Sequence, residues 1–146
     1  LKHRYFRAID MADFDLLDNI FTEDVTVDYR GGTYRWESQG KKTITESLRH
    51  SFHSQACAMH TGHHPEIEII SDTEAEGKWY LQDIFYNIDH NSVTQGTALY
   101  EDLYVKLNGQ WLIKHSEYDR IWEQVSPINP NIEFTKILLK EKGINK

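Results

Sequence analysis

Three histidines stand within five residues in Met59-His60-Thr61-Gly62-His63-His64-Pro65, and an aspartate, Asp83, follows inside the apolar run Trp79-Tyr80-Leu81-Gln82-Asp83-Ile84-Phe85. Imidazole titrates near neutral pH and can both take and give a proton, so the histidine run suits acid–base catalysis. It also suits a metal site, because His and Asp are common ligands, although the helical HExxH spacing is missing. Solvated surface histidines without chemistry are the third reading. Asp83 is informative because side chains alternate along a strand, which puts Trp79, Leu81, Asp83 and Phe85 on one face. A carboxylate in the middle of an apolar face is costly unless a cation or several donors satisfy it. Either it is catalytic or holds a histidine, or that face meets solvent and Tyr80, Ile84 and Tyr86 face the core.

Two further groups bear on the same chemistry. Tyr5 and Asp10 lie five residues apart in an apolar-striped N-terminal segment. A phenol beside a low-dielectric pocket can donate a hydrogen bond to a carbonyl as it becomes an enolate. Five residues turn roughly 140° around a helix, so both side chains reach one site only if the helix ends near Asp10. Ordinary packing of Tyr5 and a solvated Asp10 are the alternative. Arg120, in Tyr118-Asp119-Arg120-Ile121-Trp122, either binds an anionic group, pairs with a buried carboxylate or makes a surface salt bridge. Cys57 is the single cysteine and reads as a packing residue rather than a nucleophile.

The elements that must position these residues are legible in outline. Tyr5, Phe6 and Ile9 predict a first helix, interrupted at Asp10-Met11-Ala12-Asp13. Asp13 is the expected N-cap of a second helix carrying Phe14, Leu17, Ile20 and Phe21, closed by Thr22-Glu23-Asp24. Val25 to Tyr29 has the β-branched alternation of a strand, and Gly31-Gly32 a turn. A third helix follows Gly40 with Ile44, Leu48 and Phe52 four apart. The His60–His64 run then lies at the entry to a sheet whose strands cover Glu66–Ile70, Glu74–Ile88, Thr97–Leu107 and Gln110–Trp122. Asn108-Gly109 is a two-residue hairpin signal between the last two. Helices first and a curled antiparallel sheet afterwards make an α+β fold with helices on one face. The tail from Ser126 to Lys146 either covers a pocket mouth, docks on a neighbouring subunit or packs as an ordinary C-terminus.

Composition narrows the class. The 146 residues suit one domain spanning 1–146. They are 39% apolar and 27% charged, which is globular, and no apolar run approaches the roughly 20 residues of a membrane span. A net charge of −7 without a basic stripe argues against nucleic-acid binding. One cysteine cannot form an internal disulfide and suits a reducing cytoplasm. The opening Leu1 in place of Met points to a trimmed start.

The residues singled out fall into one pattern. Through Tyr5-Phe6-Arg7-Ala8-Ile9-Asp10, Met59-His60-Thr61-Gly62-His63, Trp79-Tyr80-Leu81-Gln82-Asp83 and Gly109-Gln110-Trp111 to Tyr118-Asp119-Arg120-Ile121, the chain resembles the SnoaL-like branch of the NTF2-like superfamily. Within it the likeness is to bile-acid 7α-dehydratases and, more distantly, to scytalone dehydratase. The resemblance implies an α+β cone with a curved, mainly antiparallel sheet and three N-terminal helices. It implies a site made of Tyr5, Asp10, His60, Asp83 and Arg120, although Gln82 stands where that family tends to have an acid.

The reaction so implied is elimination of water from a carbonyl-activated, steroid-like or polycyclic alcohol. His60, oriented by Asp83 or Asp10, takes the acidified proton, and Tyr5 donates to the enolate oxygen. No metal or organic cofactor is required, because the carbonyl is the electron sink. A ketosteroid-type isomerase, a polyketide cyclase and a non-catalytic small-molecule-binding module remain alternatives, since this fold serves all of them. The expected partners are a small apolar substrate and further copies of the chain, a trimer ahead of a dimer, with no nucleic acid and no membrane.

Overall fold

A computed structural model describes residues 1–146. Helix α1 (Lys2–Asp10) turns one apolar face inward and buries Tyr5, Phe6, Ala8 and Ile9. It ends at Asp10, because Met11 leaves helical geometry and Ala12 takes a positive φ of 53°. Asp13 then caps α2 (Phe14–Asp18) as expected, its carboxylate accepting the Leu16 N–H at 3.2 Å. This helix is shorter than its apolar spacing predicts. Ile20 and Phe21 leave it, since Phe21 opens strand β1 (Phe21–Arg30) and the Ile20 carbonyl accepts the Ile113 N–H at 2.7 Å. Thr22-Glu23-Asp24 is therefore strand, not a helix end: sheet pairing outweighed helical periodicity. Strand β2 (Arg35–Gln39) and helix α3 (Lys41–Ser51) follow, with Ile44 and Leu48 buried and Phe52 just past the helix end.

The long strands are β3 (Ala56–Ile69), β4 (Glu74–Asn87), β5 (Ser92–Leu107) and β6 (Gln110–Pro127), and a short helix α4 (Leu139–Lys142) ends the chain. They form one curved, unclosed sheet in the order β2-β1-β6-β5-β4-β3. Only the β1–β6 pair is parallel. The expected α+β cone is the observed fold. Asn108 and Gly109 both take positive φ, 51° and 80°, as a two-residue hairpin of matching twist demands. The histidine run was expected before the sheet, yet it lies within β3. His60 pairs with Asp83 and Gly62 with Leu81, and the strand is interrupted only at a bulge between His63 and Glu66.

Two glycines make this geometry attainable. A Cβ on Gly62 would sit 2.6 Å from the Phe6 ring, so α1 rests directly on the backbone of β3. A Cβ on Gly96 would meet the Trp122 carbonyl oxygen at 2.3 Å, where a bulge in β6 leaves Ile121 without a partner. That extra residue changes which way the end of β6 faces. Arg120 opposes Ala98 on the inner face, Trp122 opposes Thr97 and is half exposed, and Glu123 returns inward.

The inner face of the sheet, α1 and α3 enclose a core that includes Tyr5, Tyr29, Tyr100, Tyr104 and Tyr118. Of the two faces open to β4, Trp79, Leu81 and Asp83 are the buried set and Tyr80 points out. The second half of the tail packs on the domain itself. Ile137 and Leu139 join the core, and the Ile144 carbonyl accepts the Ser54 N–H at 2.9 Å. No helix is long and apolar enough to cross a membrane.

Two outcomes are expected. Leu139, 1% exposed, is deep enough that Leu139→Ala should lower the unfolding free energy by about 2–5 kcal/mol in a urea titration. An unchanged midpoint would detach the tail from the core. The second concerns alkali. Burial raises the five core phenols above their ordinary value of 10.0, so they stay protonated in the fold after the unfolded chain has ionised. Their contribution to stability is complete below pH 10 and is lost as pH rises beyond it. In an alkaline titration, phenolate absorbance from these five should appear together with loss of the circular-dichroism signal, not before it.

Candidate active site

The five residues singled out from the sequence converge on the inner face, and their pairing selects among the readings left open. His60 projects from β3 beneath the end of α1, where Asp10 meets it. The His60 backbone N–H donates to Asp10 Oδ2 at 2.9 Å, and ring Nδ1 lies 2.6 Å from Asp10 Oδ1. A carboxylate at that distance holds the hydrogen on Nδ1 and leaves the Nε2 lone pair of a neutral imidazole for a ligand. The ring is fixed on two more sides. Phe6 stacks parallel to it at 6.1 Å and Phe52 meets it edge-on at 5.7 Å. Termination of α1 at Asp10 is what lets this carboxylate swing over the strand.

Asp83 is the strand neighbour of His60, yet its carboxylate is engaged elsewhere. Arg120 donates to both of its oxygens, from Nη1 to Oδ1 and from Nη2 to Oδ2 at 2.8 Å. The guanidinium Nε lies 3.1 Å from Glu123 Oε2 as an ion pair, without the alignment of a hydrogen bond. The other Glu123 oxygen accepts the Gly32 N–H at 3.2 Å from the β1–β2 turn. All three side chains are more than nine-tenths buried. Burial works against the Arg120 charge, but the paired Asp83 carboxylate outweighs it and holds the guanidinium above its ordinary range. Of the two carboxylates considered as the orienter of His60, Asp10 has that position. Of the readings of Arg120, the pair with a buried carboxylate is the observed one.

Between the two polar clusters lies a cavity of about 130 Å³. Ser51, His60, Asp83 and the Tyr5 hydroxyl contribute to its polar lining, and Tyr29, Trp36, Leu81, Tyr100 and Tyr118 are among the aromatic and apolar rest. Tyr29 and Tyr118 stack face to face at 4.5 Å, and the Tyr5 and Tyr29 hydroxyls are 3.0 Å apart. A larger cavity of about 280 Å³ is lined by Leu1, Ile67, Ile69, Trp79 and Trp111 among others. It contains no imidazole, and its one charged residue, Lys2, is bound to Asp102, so the smaller cavity is the one equipped for proton transfer. His63 and His64 do not line it. Cys57 is half-buried, and burial raises its thiol above the ordinary value, away from nucleophilic character.

Sequence reasoning missed Tyr29, Tyr100 and Tyr118 as wall residues, and Lys2, Asp102 and Glu123 as buried charges. The signal for Asp102 was present: Tyr100, Asp102 and Tyr104 alternate along a strand as Leu81, Asp83 and Phe85 do. Glu123 carried no such signal, because the bulge at Ile121 breaks the alternation that would have read it.

A SnoaL-like domain model matches residues 1–117, four-fifths of the chain. Among solved structures, a putative scytalone dehydratase from Novosphingobium aromaticivorans is similar at 22% identity, with a TM-score of 0.72 over 89% of this chain and 87% of that one. A hexachlorocyclohexane dehydrochlorinase, LinA-type3 from Novosphingobium barchaimii, is similar at 15% identity, with a TM-score of 0.73 over 92% and 89%. ActVI-ORFA from Streptomyces coelicolor is similar at 20% identity, with a TM-score of 0.64 over 82% and 90%. At these identities the structures speak for the fold, while the domain match covers both helices and sheet up to the strand that carries Tyr118 and Arg120. By that match, the chain belongs to the SnoaL-like domain family.

Proposed function

We propose that this chain is a cofactor-independent dehydratase that eliminates water from a carbonyl-activated, steroid-like or polycyclic alcohol. The observation that carries the reading is the Asp10–His60 pair at the wall of an aromatic cavity, with the imidazole Nε2 free of protein partners. Neutral His60 takes the proton from the carbon made acidic by the substrate carbonyl. Asp10 stabilises the imidazolium that forms, as a buried carboxylate does for a catalytic histidine elsewhere. The electron pair left on carbon moves to the carbonyl oxygen, where Tyr5 donates a hydrogen bond of the kind worth about 3–4 kcal/mol in a transition state. As the enolate collapses, the C–O bond breaks, the departing hydroxide takes the proton back from His60, and water leaves. Asp83, neutralised by Arg120, offers acceptor lone pairs to the hydroxyl before it departs.

Similarity to structures named as a dehydratase and a dehydrochlorinase supports an elimination. A ketosteroid-type isomerase would need a free carboxylate base in the cavity, and Asp83 is committed to Arg120. A cavity of about 130 Å³ takes the reacting ring, and the other rings of a polycyclic substrate extend beyond it. The protein is expected to act in the cytoplasm, in keeping with its single thiol.

Incubation with a panel of hydroxylated enones, including a hydroxylated steroid enone, should yield a conjugated dienone, with a product lighter by one water. His60→Ala should slow that reaction by about 10²–10⁴-fold while its circular-dichroism spectrum stays native. Near-normal turnover in folded His60→Ala would sink the mechanism, and a product of unchanged mass would make the protein an isomerase.

The outer sheet face exposes Met59, Tyr80, Leu103 and Trp122, an apolar set that supports self-association. Light scattering coupled to gel filtration should give the mass of a trimer, or failing that a dimer. A monomer at micromolar concentration would refute this.

A further inference from the structure

Two buried charges take no part in the mechanism above. Lys2 and Asp102 have fully buried side chains, and Lys2 Nζ lies 3.0 Å from the Asp102 carboxylate. The ammonium also sits over the Tyr100 ring, 3.3 Å from its centre, and burial lowers its pKa to about 8. Asp102 receives three donors: Lys2, the Tyr104 hydroxyl at 2.7 Å and the Ser116 hydroxyl at 2.7 Å.

The directions of the remaining hydrogen bonds follow from that. A carboxylate only accepts, so the single Ser116 hydrogen is committed to Asp102. The Ser116 oxygen then accepts from Lys2 at 3.2 Å and from the Tyr29 hydroxyl at 3.3 Å. With its hydrogen directed at Ser116, Tyr29 meets Tyr5 as an acceptor across their 3.0 Å contact. In this direction every hydrogen in the chain from Tyr5 to Asp102 finds an acceptor within it. In the reverse direction the Tyr5 hydrogen has no acceptor in that chain, and only the neighbouring Tyr100 hydroxyl outside it.

We infer that Ser116, held by the Lys2–Asp102 pair, is a positioning residue for Tyr5. It keeps the Tyr29 hydrogen turned away from the cavity and the resting Tyr5 hydrogen turned onto Tyr29. The inference rests on the reading of Tyr5 as the donor to a ligand oxyanion. A ligand must then break the Tyr5–Tyr29 bond to receive that hydrogen, so the network restrains affinity for an oxyanion. Without the Ser116 hydroxyl, the Tyr29 hydrogen turns to the Tyr5 oxygen and the Tyr5 hydrogen is released from Tyr29, with the weaker Tyr100 contact as its one competitor for the ligand.

The test reads binding rather than turnover, so its outcome is separate from that of the dehydratase assay. The probes are p-nitrophenolate, at a pH where it is ionised, and 4-nitrotoluene, its neutral counterpart, titrated calorimetrically into wild type and Ser116→Ala. Ser116→Ala should bind p-nitrophenolate about 5-fold tighter, the worth of one net hydrogen bond, with 4-nitrotoluene affinity unchanged. A merely structural role would shift both probes alike. Tyr29→Phe, which deletes the acceptor itself, should move phenolate affinity in the same direction and covers the case in which Ser116→Ala fails to fold. Equal or weaker phenolate binding in the folded variants, parallel changes for both probes, or no phenolate binding to any of the proteins would overturn the inference.

Discussion

The grip of Asp10 on His60 is the interaction that brings the rest of the site into register. One carboxylate accepts both the backbone N–H and the ring N–H of the same residue, which ties the end of α1 to the middle of β3. That bond has conditions. The helix must stop at Asp10, the strand must come close enough beneath it, and the imidazole must be held by neighbouring rings. Met11 and Ala12 meet the first, the missing side chain of Gly62 meets the second, and Phe6 and Phe52 meet the third. What remains free is one nitrogen, pointed at a cavity lined by phenols and indole.

Burying this much charge in a narrow enclosure constrains everything around it. An isolated ion in a low-dielectric interior is costly by several kcal/mol, so each buried charge here has a partner of opposite sign. Asp83 and Glu123 flank Arg120 on one side, and Asp102 faces Lys2 on the other. These pairs do not make strong evidence for stability, since apolar residues of equal volume serve a core at least as well. Their value lies in direction. A bidentate guanidinium fixes the plane of the Asp83 carboxylate, and a carboxylate that only accepts fixes the sense of the hydrogen bonds that reach it. The phenols packed between them stay protonated because burial penalises the phenolate, which leaves them neutral donors and acceptors whose orientation the ion pairs decide.

The bulge in β6 shows how a local irregularity serves this arrangement. Regular alternation would put Trp122 beside Arg120 on the inner face and turn Glu123 outward. The extra residue at Ile121 reverses both, and Gly96 leaves the room for the backbone to do so. An aromatic ring thereby reaches the outer surface and a second carboxylate reaches the guanidinium.

The sequence by itself determined the α+β class, the strand-rich second half, the Asp13 cap and the Asn108-Gly109 hairpin, because these depend on spacing and local backbone preference; which face of β4 turns Asp83 inward was left to the fold. Its spacing drew attention to Asp83 and the histidine run, and the resemblance to the SnoaL-like family then named Tyr5, Asp10, His60, Asp83 and Arg120 together as candidates. Only the tertiary structure decided the partnerships: Asp10 rather than Asp83 for His60, Asp83 for Arg120, and Lys2 for Asp102, one hundred residues away in the chain. It also decided that Ile20 and Phe21 leave a helix for which their spacing suited them, and that the histidine run lies within a strand. A charged side chain announces that it needs a partner, but which one it meets is set by strand register, a helix end and a bulge. Those are properties of the folded chain, and no window along the sequence holds both members of the pair.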